Sequence, residues 1–285
     1  MIAERLGVDP LQVVAASSAT AALWAACKVL QVESPRVCPL TWPSTYSGVD
    51  GYPKWLDYGA EVEYREIAVD LWGIPYDLNQ GIPTILDAAH RFGDPKHGKM
   101  LRVGATQAIV YSFAPQKEVP SPDGGVVVCF GVGLADAIRV VLGGNLVMRR
   151  WAGLPGGGIK GLMSDVAAAL VREGINQHDK RRERRRQVLA WYERHLGKLV
   201  LTRRAEEASG HMCVVRAPSE VVRDHWRRVL TSAGIAWGHH YPLNKEQTMQ
   251  CPVAAEVSSE IITLPCHVKM DAAAVRRVCV RILSA

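Results

Sequence analysis

Lys117 stands in Tyr111-Ser-Phe-Ala-Pro-Gln-Lys-Glu-Val-Pro-Ser-Pro-Asp-Gly-Gly125, where an apolar run stops abruptly in a proline-flanked turn. A lysine fixed in so rigid a setting suits condensation with a carbonyl, because only a neutral, held amine of depressed pKa attacks one. Ser17-Ser18-Ala19-Thr20 precedes a helix-forming run. Amides and dipole at such a helix start cradle a phosphate, with the Thr20 hydroxyl as an added donor; the alternative is an ordinary N-cap. Asp87, in Leu86-Asp-Ala-Ala-His-Arg-Phe-Gly93, ends another apolar run. It serves either as a helix cap or as the partner of a protonated ring nitrogen. His90 in the same stretch is structural or catalytic, and Trp42 is core packing or a platform for a flat ring. Ser112, five residues before the lysine, completes the set.

Together these groups call for a ligand with a phosphate, a flat ring, a basic ring nitrogen and an aldehyde. Pyridoxal 5'-phosphate (PLP) has all four. The elements that position them are legible as alternation. Residues 11–16, 36–39, 61–67, 83–87, 105–113 and 125–130 read as strands, 21–30 as a helix and 164–196 as mainly helical. Short apolar strands alternating with helices imply an α/β fold with a mainly parallel sheet, whose ligands lie beyond the carboxyl ends of the strands. Past residue 197 the pattern becomes strand 211–216, helix 222–233, strand 261–264 and helix 271–283, a smaller α+β domain. The expected division is a large domain over 1–196 and a small one over 197–285.

The 285 residues are 48% hydrophobic and 22% charged, with a formal net charge of +6. That excess suits an anionic ligand, whether phosphate, nucleotide or nucleic acid. The basic run 179–187 reads as a solvated helix face or as a contact for a polyanion. Seven cysteines without a C-x-x-C spacing imply free thiols in a reducing compartment, the cytoplasm (or a host's cytoplasm, for a phage-encoded chain). No signal peptide is expected at Met1, and the apolar run 124–144 carries Asp136 and Arg139, so no membrane span is expected. His211, His239 and His240 lack a metal-ligand spacing, and no metal is expected. Gly131-Val-Gly-Leu-Ala-Asp136 only half resembles a dinucleotide fingerprint, and 153–161 lacks the Gly-Lys-Ser/Thr of a P-loop.

The chain resembles, in shortened form, the DegT/DnrJ/EryC1/StrS family, the sugar-aminotransferase branch of the fold-type-I PLP-dependent enzymes. Residues 17–23 resemble its phosphate-binding turn, and Leu40-Thr-Trp-Pro-Ser-Thr45 resembles the segment whose aromatic, here Trp42, stacks on the cofactor. Residues 86–93 resemble E-D-A-A-H-x-x-G, in which the aspartate, here Asp87, pairs with the pyridine nitrogen and His90 lies near the ring. Tyr111 to Lys117 resembles S-F-x-x-x-K, so Ser112 is implied to contact the phosphate and Lys117 to form the internal aldimine. Ser18, Ala19 and Thr20 complete the implied phosphate site. Val69-Asp-Leu-Trp-Gly resembles V-H-L-Y-G, and Lys160 aligns where the family offers the phosphate an asparagine from the neighbouring subunit. The resemblance thus implies a PLP-dependent transferase fold of type I, with helices on both faces of the sheet, and a homodimer with a shared active site.

Three functions follow as expectations. The first is aminotransferase-type chemistry on the amino group of a nucleotide-linked substrate. The second keeps the cofactor but decarboxylates an amino-acyl group on a modified, phage-type DNA base or nucleotide, which makes DNA contact an expectation too. The third is a non-catalytic PLP-fold sensor or partner, which the retention of both Asp87 and Lys117 disfavours. Carbon dioxide release separates the second from the first, and glutamate-dependent turnover the first from the second.

Overall fold

The computed structural model describes residues 1–32, 36–37, 66–75, 84–102, 106–143, 159–202, 208–243, 249 and 252–284. These fall into two compact units, one reaching residue 70 and resuming from 84 to 178, the other holding 71–75 and 179 onward. The boundary lies at the start of a long helix. No helix among the described residues is long and apolar enough to cross a membrane.

The first unit is built on a six-stranded sheet in the order β1-β6-β5-β4-β3-β2, formed by β1 (Val13–Ala16), β2 (Arg36–Val37), β3 (Glu66–Val69), β4 (Ile85–Asp87), β5 (Ala108–Ser112) and β6 (Gly125–Cys129). β2 to β5 are mutually parallel; β6 runs antiparallel to both β5 and β1. β1 therefore points the same way as β5, and five of these six strands end at one edge. The alternation of the strands assigns their two faces. Ile67, Ile85, Ala108, Val110, Val127 and Cys129 face one core with Val14 and Ala16. Ala68, Leu86, Ile109, Tyr111, Val126 and Val128 face the other.

Helices cover both faces, as the resemblance implied. The first core is closed by α2 (Ala19–Val29) and α4 (Val132–Val141), which contribute Leu23, Ala26, Ala135 and Ile138. The second is closed by α1 (Ile2–Leu6), α3 (Pro95–Arg102) and α5 (Asp165–Asn176), through Leu6, Leu101, Val171 and Ile175. α2 forms because its sequence, ATAALWAACKV, is rich in strong helix formers and because the Ser18 Oγ accepts the Ala21 amide at 3.1 Å. Its small residues let it lie close to the sheet.

The second unit contains α6 (His178–Leu196, with its first residue in the other unit), β7 (Cys213–Arg216), α7 (Glu220–Ser232), α8 (Pro252–Glu260), β8 (Ile261–Leu264) and α9 (Ala272–Leu283). β7 and β8 pair antiparallel. One face of this two-stranded sheet meets Leu189, Tyr192, Trp226, Leu230 and Val278 from α6, α7 and α9; the Tyr192 hydroxyl donates to the Pro265 carbonyl at 3.0 Å. This is the expected α+β arrangement. Sequence periodicity did not disclose α1, α3 and α8. α3, PKHGKMLR, opens on proline and contains glycine, so only tertiary packing of its buried His97, Met100 and Leu101 sustains it.

Leu23 is 1% exposed on the helix that carries the candidate phosphate site. Leu23→Ala is expected to lower unfolding free energy by about 3 kcal/mol, and Leu11→Ala, at an exposed position, by less than about 0.5 kcal/mol, as read by urea denaturation.

Candidate active site

Strand register brings the candidate residues to one edge. Gly125, the first residue of β6, pairs with Ala16 on one side and with Ser112 on the other. Just past Ala16 come Ser17 and Ser18, so the start of α2 stands beside the end of β5. The approach is so close that a Cβ on Gly125 would lie 2.3 Å from the Ala19 nitrogen and 2.5 Å from the Ser18 carbonyl carbon. Only glycine leaves room there. Ser18 caps the Ala21 amide; the amides of Ala19 and Thr20, in the same first turn, have no intrahelical acceptor and lie at the positive end of the helix dipole.

Asp87 pairs with Val110, two residues before Ser112, and ends β4 on the face that α2 covers. Its carboxylate is buried and its Oδ1 accepts the Ala89 amide at 2.9 Å. Burial pushes the carboxyl above the usual carboxylate range; the Ala89 bond and the nearby Lys117 amine draw it down, and Asp70 pushes it up. On α2, burial and then the Asp87 carboxylate drive the Cys27 thiol up to about 12, which marks how closely this helix lies against the acid.

Lys117 is buried in the turn after β5. Its amide donates to the Ala114 carbonyl at 2.9 Å, and the Ser121 amide to the Phe113 carbonyl at 2.7 Å, which closes the turn on both sides of the lysine. Burial lowers the Lys117 amine to about 8, and the charges of Asp87 and Glu118 oppose the shift. The rigid turn thus presents an amine that is largely neutral just above pH 8.

His90 is buried in the turn that follows β4, between Ala88 and Arg91, whose amide donates to the Ala88 carbonyl at 2.9 Å. The Ser112 hydroxyl accepts the Ala114 amide at 3.4 Å. Lys160 is exposed; the carbonyl of the adjacent Gly161 accepts the Ser17 amide at 2.7 Å, which ties its segment to the start of α2. Trp42 and its Thr41–Thr45 segment lie outside the described residues.

Three neighbouring acids were not singled out by sequence reasoning. Glu118 is buried beside Lys117, and its Oε2 accepts the Phe92 amide at 2.7 Å. Arg91 and Asp94 form a buried pair. Asp70, whose amide donates to the Asp87 carbonyl at 3.0 Å, is linked to His97 Nε2 at 2.9 Å, and His97 Nδ1 meets the Tyr111 hydroxyl at 2.8 Å. In this network the imidazole comes from α3, which sequence periodicity did not disclose.

A buried carboxylate and a buried amine at the end of a helix that offers unclaimed amides match the donor set of PLP, with its ring nitrogen, aldehyde and phosphate. Comparison with known proteins identifies the lineage. The model of the DegT/DnrJ/EryC1/StrS aminotransferase family matches residues 67–283. The chain belongs to this family. Pyridoxal 5'-phosphate is the cofactor of the family, and the fold is the PLP-dependent transferase fold of type I.

Among curated proteins this DegT-family chain is similar to the erythromycin biosynthesis sensory transduction protein EryC1 of Saccharopolyspora erythraea. The two are 27% identical over 234 residues, which is 73% of this chain and 62% of EryC1, less than two thirds of the relative's length. Among solved structures it is similar to DesI, crystallised in the presence of its TDP-sugar product, with a TM-score of 0.80, 21% identity, and coverage of 99% of this chain and 81% of that one. It is also similar to the PLP form of Spr1654 of Streptococcus pneumoniae, with a TM-score of 0.77, 19% identity, and coverage of 99% and 88%. At such identities these structures establish the shared fold.

Two outcomes test this geometry. Gly125→Ala is expected to cost about 3 kcal/mol of stability, the upper part of the overpacking range, because the clash is with backbone. Lys117 titrates near 8 in the fold against 10.5 unperturbed, so the unfolded chain binds more protons between those values and stability rises with pH across that window. Without cofactor, Lys117→Met is therefore expected to be more stable than the parent at pH 7, by about 3 kcal/mol at 1.36 kcal/mol per pKa unit. That advantage should shrink as pH climbs from 8 towards 10.5, as followed by urea denaturation at a series of pH values.

Proposed function

We propose that this chain is a PLP-dependent aminotransferase acting on a nucleotide-linked substrate. The observation that carries the reading is the buried Lys117, with its amine lowered to about 8, in the company of a buried Asp87. When bound, PLP supplies an aldehyde for an amine and an electron-accepting ring. Lys117 would hold the cofactor through that aldehyde, and its freed amine would serve as the base that moves the proton from the carbon beside the substrate nitrogen. An amine that is half neutral near pH 8 serves both as nucleophile and as base.

Asp87 would hold a proton on the ring nitrogen, and that charge pair would offset the burial of its carboxylate. Ser18, Ala19, Thr20 and Ser112 receive the phosphate, the amides through the helix dipole and the serines through their hydroxyls. His90, buried three residues on from Asp87, would lie near the ring, and the resemblance of Thr41–Thr45 to the family's motif assigns Trp42 the part of the aromatic that stacks on the cofactor. Lys160 is exposed and aligns where the family offers the phosphate a group from the neighbouring subunit; the homodimer is proposed on that resemblance. The nucleotide-linked substrate is supported by family membership and by the similarity to DesI, analysed in the presence of its TDP-sugar product.

Adding PLP to the purified protein should produce a visible absorbance band that Lys117→Ala abolishes. Its rate of appearance should rise with pH around a midpoint near 8 in stopped-flow measurement, because only the neutral amine reacts. Asp87→Asn should lower turnover by at least about 100-fold, within the range for loss of an acid–base or electrostatic group. Amino transfer from glutamate to a keto group of a nucleotide sugar supports the proposal. Release of carbon dioxide from an amino-acid-bearing nucleotide, without amino transfer, would replace it with decarboxylation, and a protein that takes up no PLP would refute both.

A further inference from the structure

Charge is divided unevenly along the chain. Residues 179–285 hold 19 Lys and Arg against 11 Asp and Glu, whereas residues 1–178 hold 15 against 17. The positive excess thus belongs to the second unit. Part of it is neutralised locally: Arg216 pairs with Glu256 and Glu260, Arg223 with Glu220 and Asp224, and Arg227 with Asp224.

Another part is not. α9, the turn at 233–236 and the segment after β8 enclose a groove of about 1050 Å³. Its floor includes Ile235, Met270 and Val278, and its rim carries His267, Arg276, Arg277 and Arg281. None of the lining residues is acidic. All four rim side chains are exposed, and among the described residues none of the three arginines has a carboxylate partner.

The cationic strip continues on both sides of the groove. The turn at 233–236 leads to Trp237, which carries the Arg227 guanidinium 4.4 Å from its ring and donates from Nε1 to the Thr231 hydroxyl at 2.9 Å. Arg228 is exposed beside it. At the other end, Arg184 stacks 4.9 Å from the Trp191 ring and donates to the Met270 carbonyl at 2.7 Å. Each guanidinium is held over an indole; Arg227 is also paired with Asp224, so the uncompensated charge on that side is that of Arg228.

We propose that this strip is a docking surface for double-stranded DNA, gripped through its phosphate backbone. A small anion uses one or two cations; here they come from α6, α7, α9 and the loop after β8. Duplex DNA presents about one charge per 1.7 Å of axis, dense enough to engage several of these elements at once, and each arginine fork fits a phosphate in bidentate fashion. A flat bilayer does not reach into a groove. The inference stands independently of the cofactor reading.

The test is fluorescence anisotropy of a labelled 20-base-pair duplex with the full chain between 50 and 200 mM NaCl. The logarithm of affinity should fall with that of salt concentration with a slope of about −3 or steeper, as four phosphate contacts imply. Arg276→Gln/Arg277→Gln/Arg281→Gln should weaken binding at least tenfold at 50 mM salt and make the slope shallower by about 2 to 3, with an unchanged thermal unfolding midpoint. The triple lysine variant should stay within about threefold of the parent, since it keeps the charges. Arg228→Gln, beside Trp237 on the adjoining surface, should reduce the slope by about 1 and serves if the triple variant does not fold. No duplex binding at 50 mM salt, glutamine variants that bind like the parent, or a lysine variant as weak as the glutamine one would overturn the proposal. So would equal binding of poly-glutamate, or tighter binding of an RNA duplex or of anionic vesicles.

Discussion

Gly125 sits between two strands, opposite Ala16 and Ser112, and the candidate site depends on that single register. β6 is antiparallel to both neighbours, so its first residue lies where both of them end. Because Gly125 has no side chain, the backbone of Ser18 and Ala19 can close on it and the start of α2 is drawn against the end of β5. The helix dipole, its unclaimed amides and the Ser112 hydroxyl then share one edge. A wider separation would leave the amides to water and the lysine turn without a neighbour.

Beneath that edge lies an unusual density of buried charge. Asp87, Lys117, Glu118, Asp70, His97, Arg91 and Asp94 are all nearly inaccessible within one unit. Charged groups are costly to bury alone, and here they are arranged as pairs and relays: Arg91 with Asp94, and Asp70 through His97 to Tyr111. Lys117 and Asp87 are different. Each is shifted towards its neutral form mainly by burial, the lysine downward and the aspartate upward. A ligand that brings an aldehyde to one and a cationic nitrogen to the other relieves both, which is why this pair, and not the others, reads as chemistry.

The two units handle charge in opposite ways. The first hides its ionisable groups around a sheet edge. In the second, most of the described arginines are half-buried or exposed rather than buried, some on carboxylates, some over tryptophans and some on neither. The apolar side chains of α6, from Val188 to Leu196, pack on the two-stranded sheet of β7 and β8, which anchors the helix whose first turns carry the arginine run.

Sequence alone determined the chemistry-bearing residue types and most of the elements. The alternation of strands with α2, and the strand–helix–strand–helix order after residue 197, follow from local periodicity, which needs no partner to be read. Lys117, Asp87 and the Ser18–Thr20 turn stood out as candidates only together, through the family motifs they resemble, since each taken singly also reads as a cap or a structural residue. What sequence could not decide was distance. That Gly125 must be glycine, that Asp70 takes its histidine from α3, that Glu118 faces the lysine and that Arg276, Arg277 and Arg281 rim a groove free of acids all depend on register and packing between residues far apart in the chain. Local propensity carries no information about which surfaces will meet.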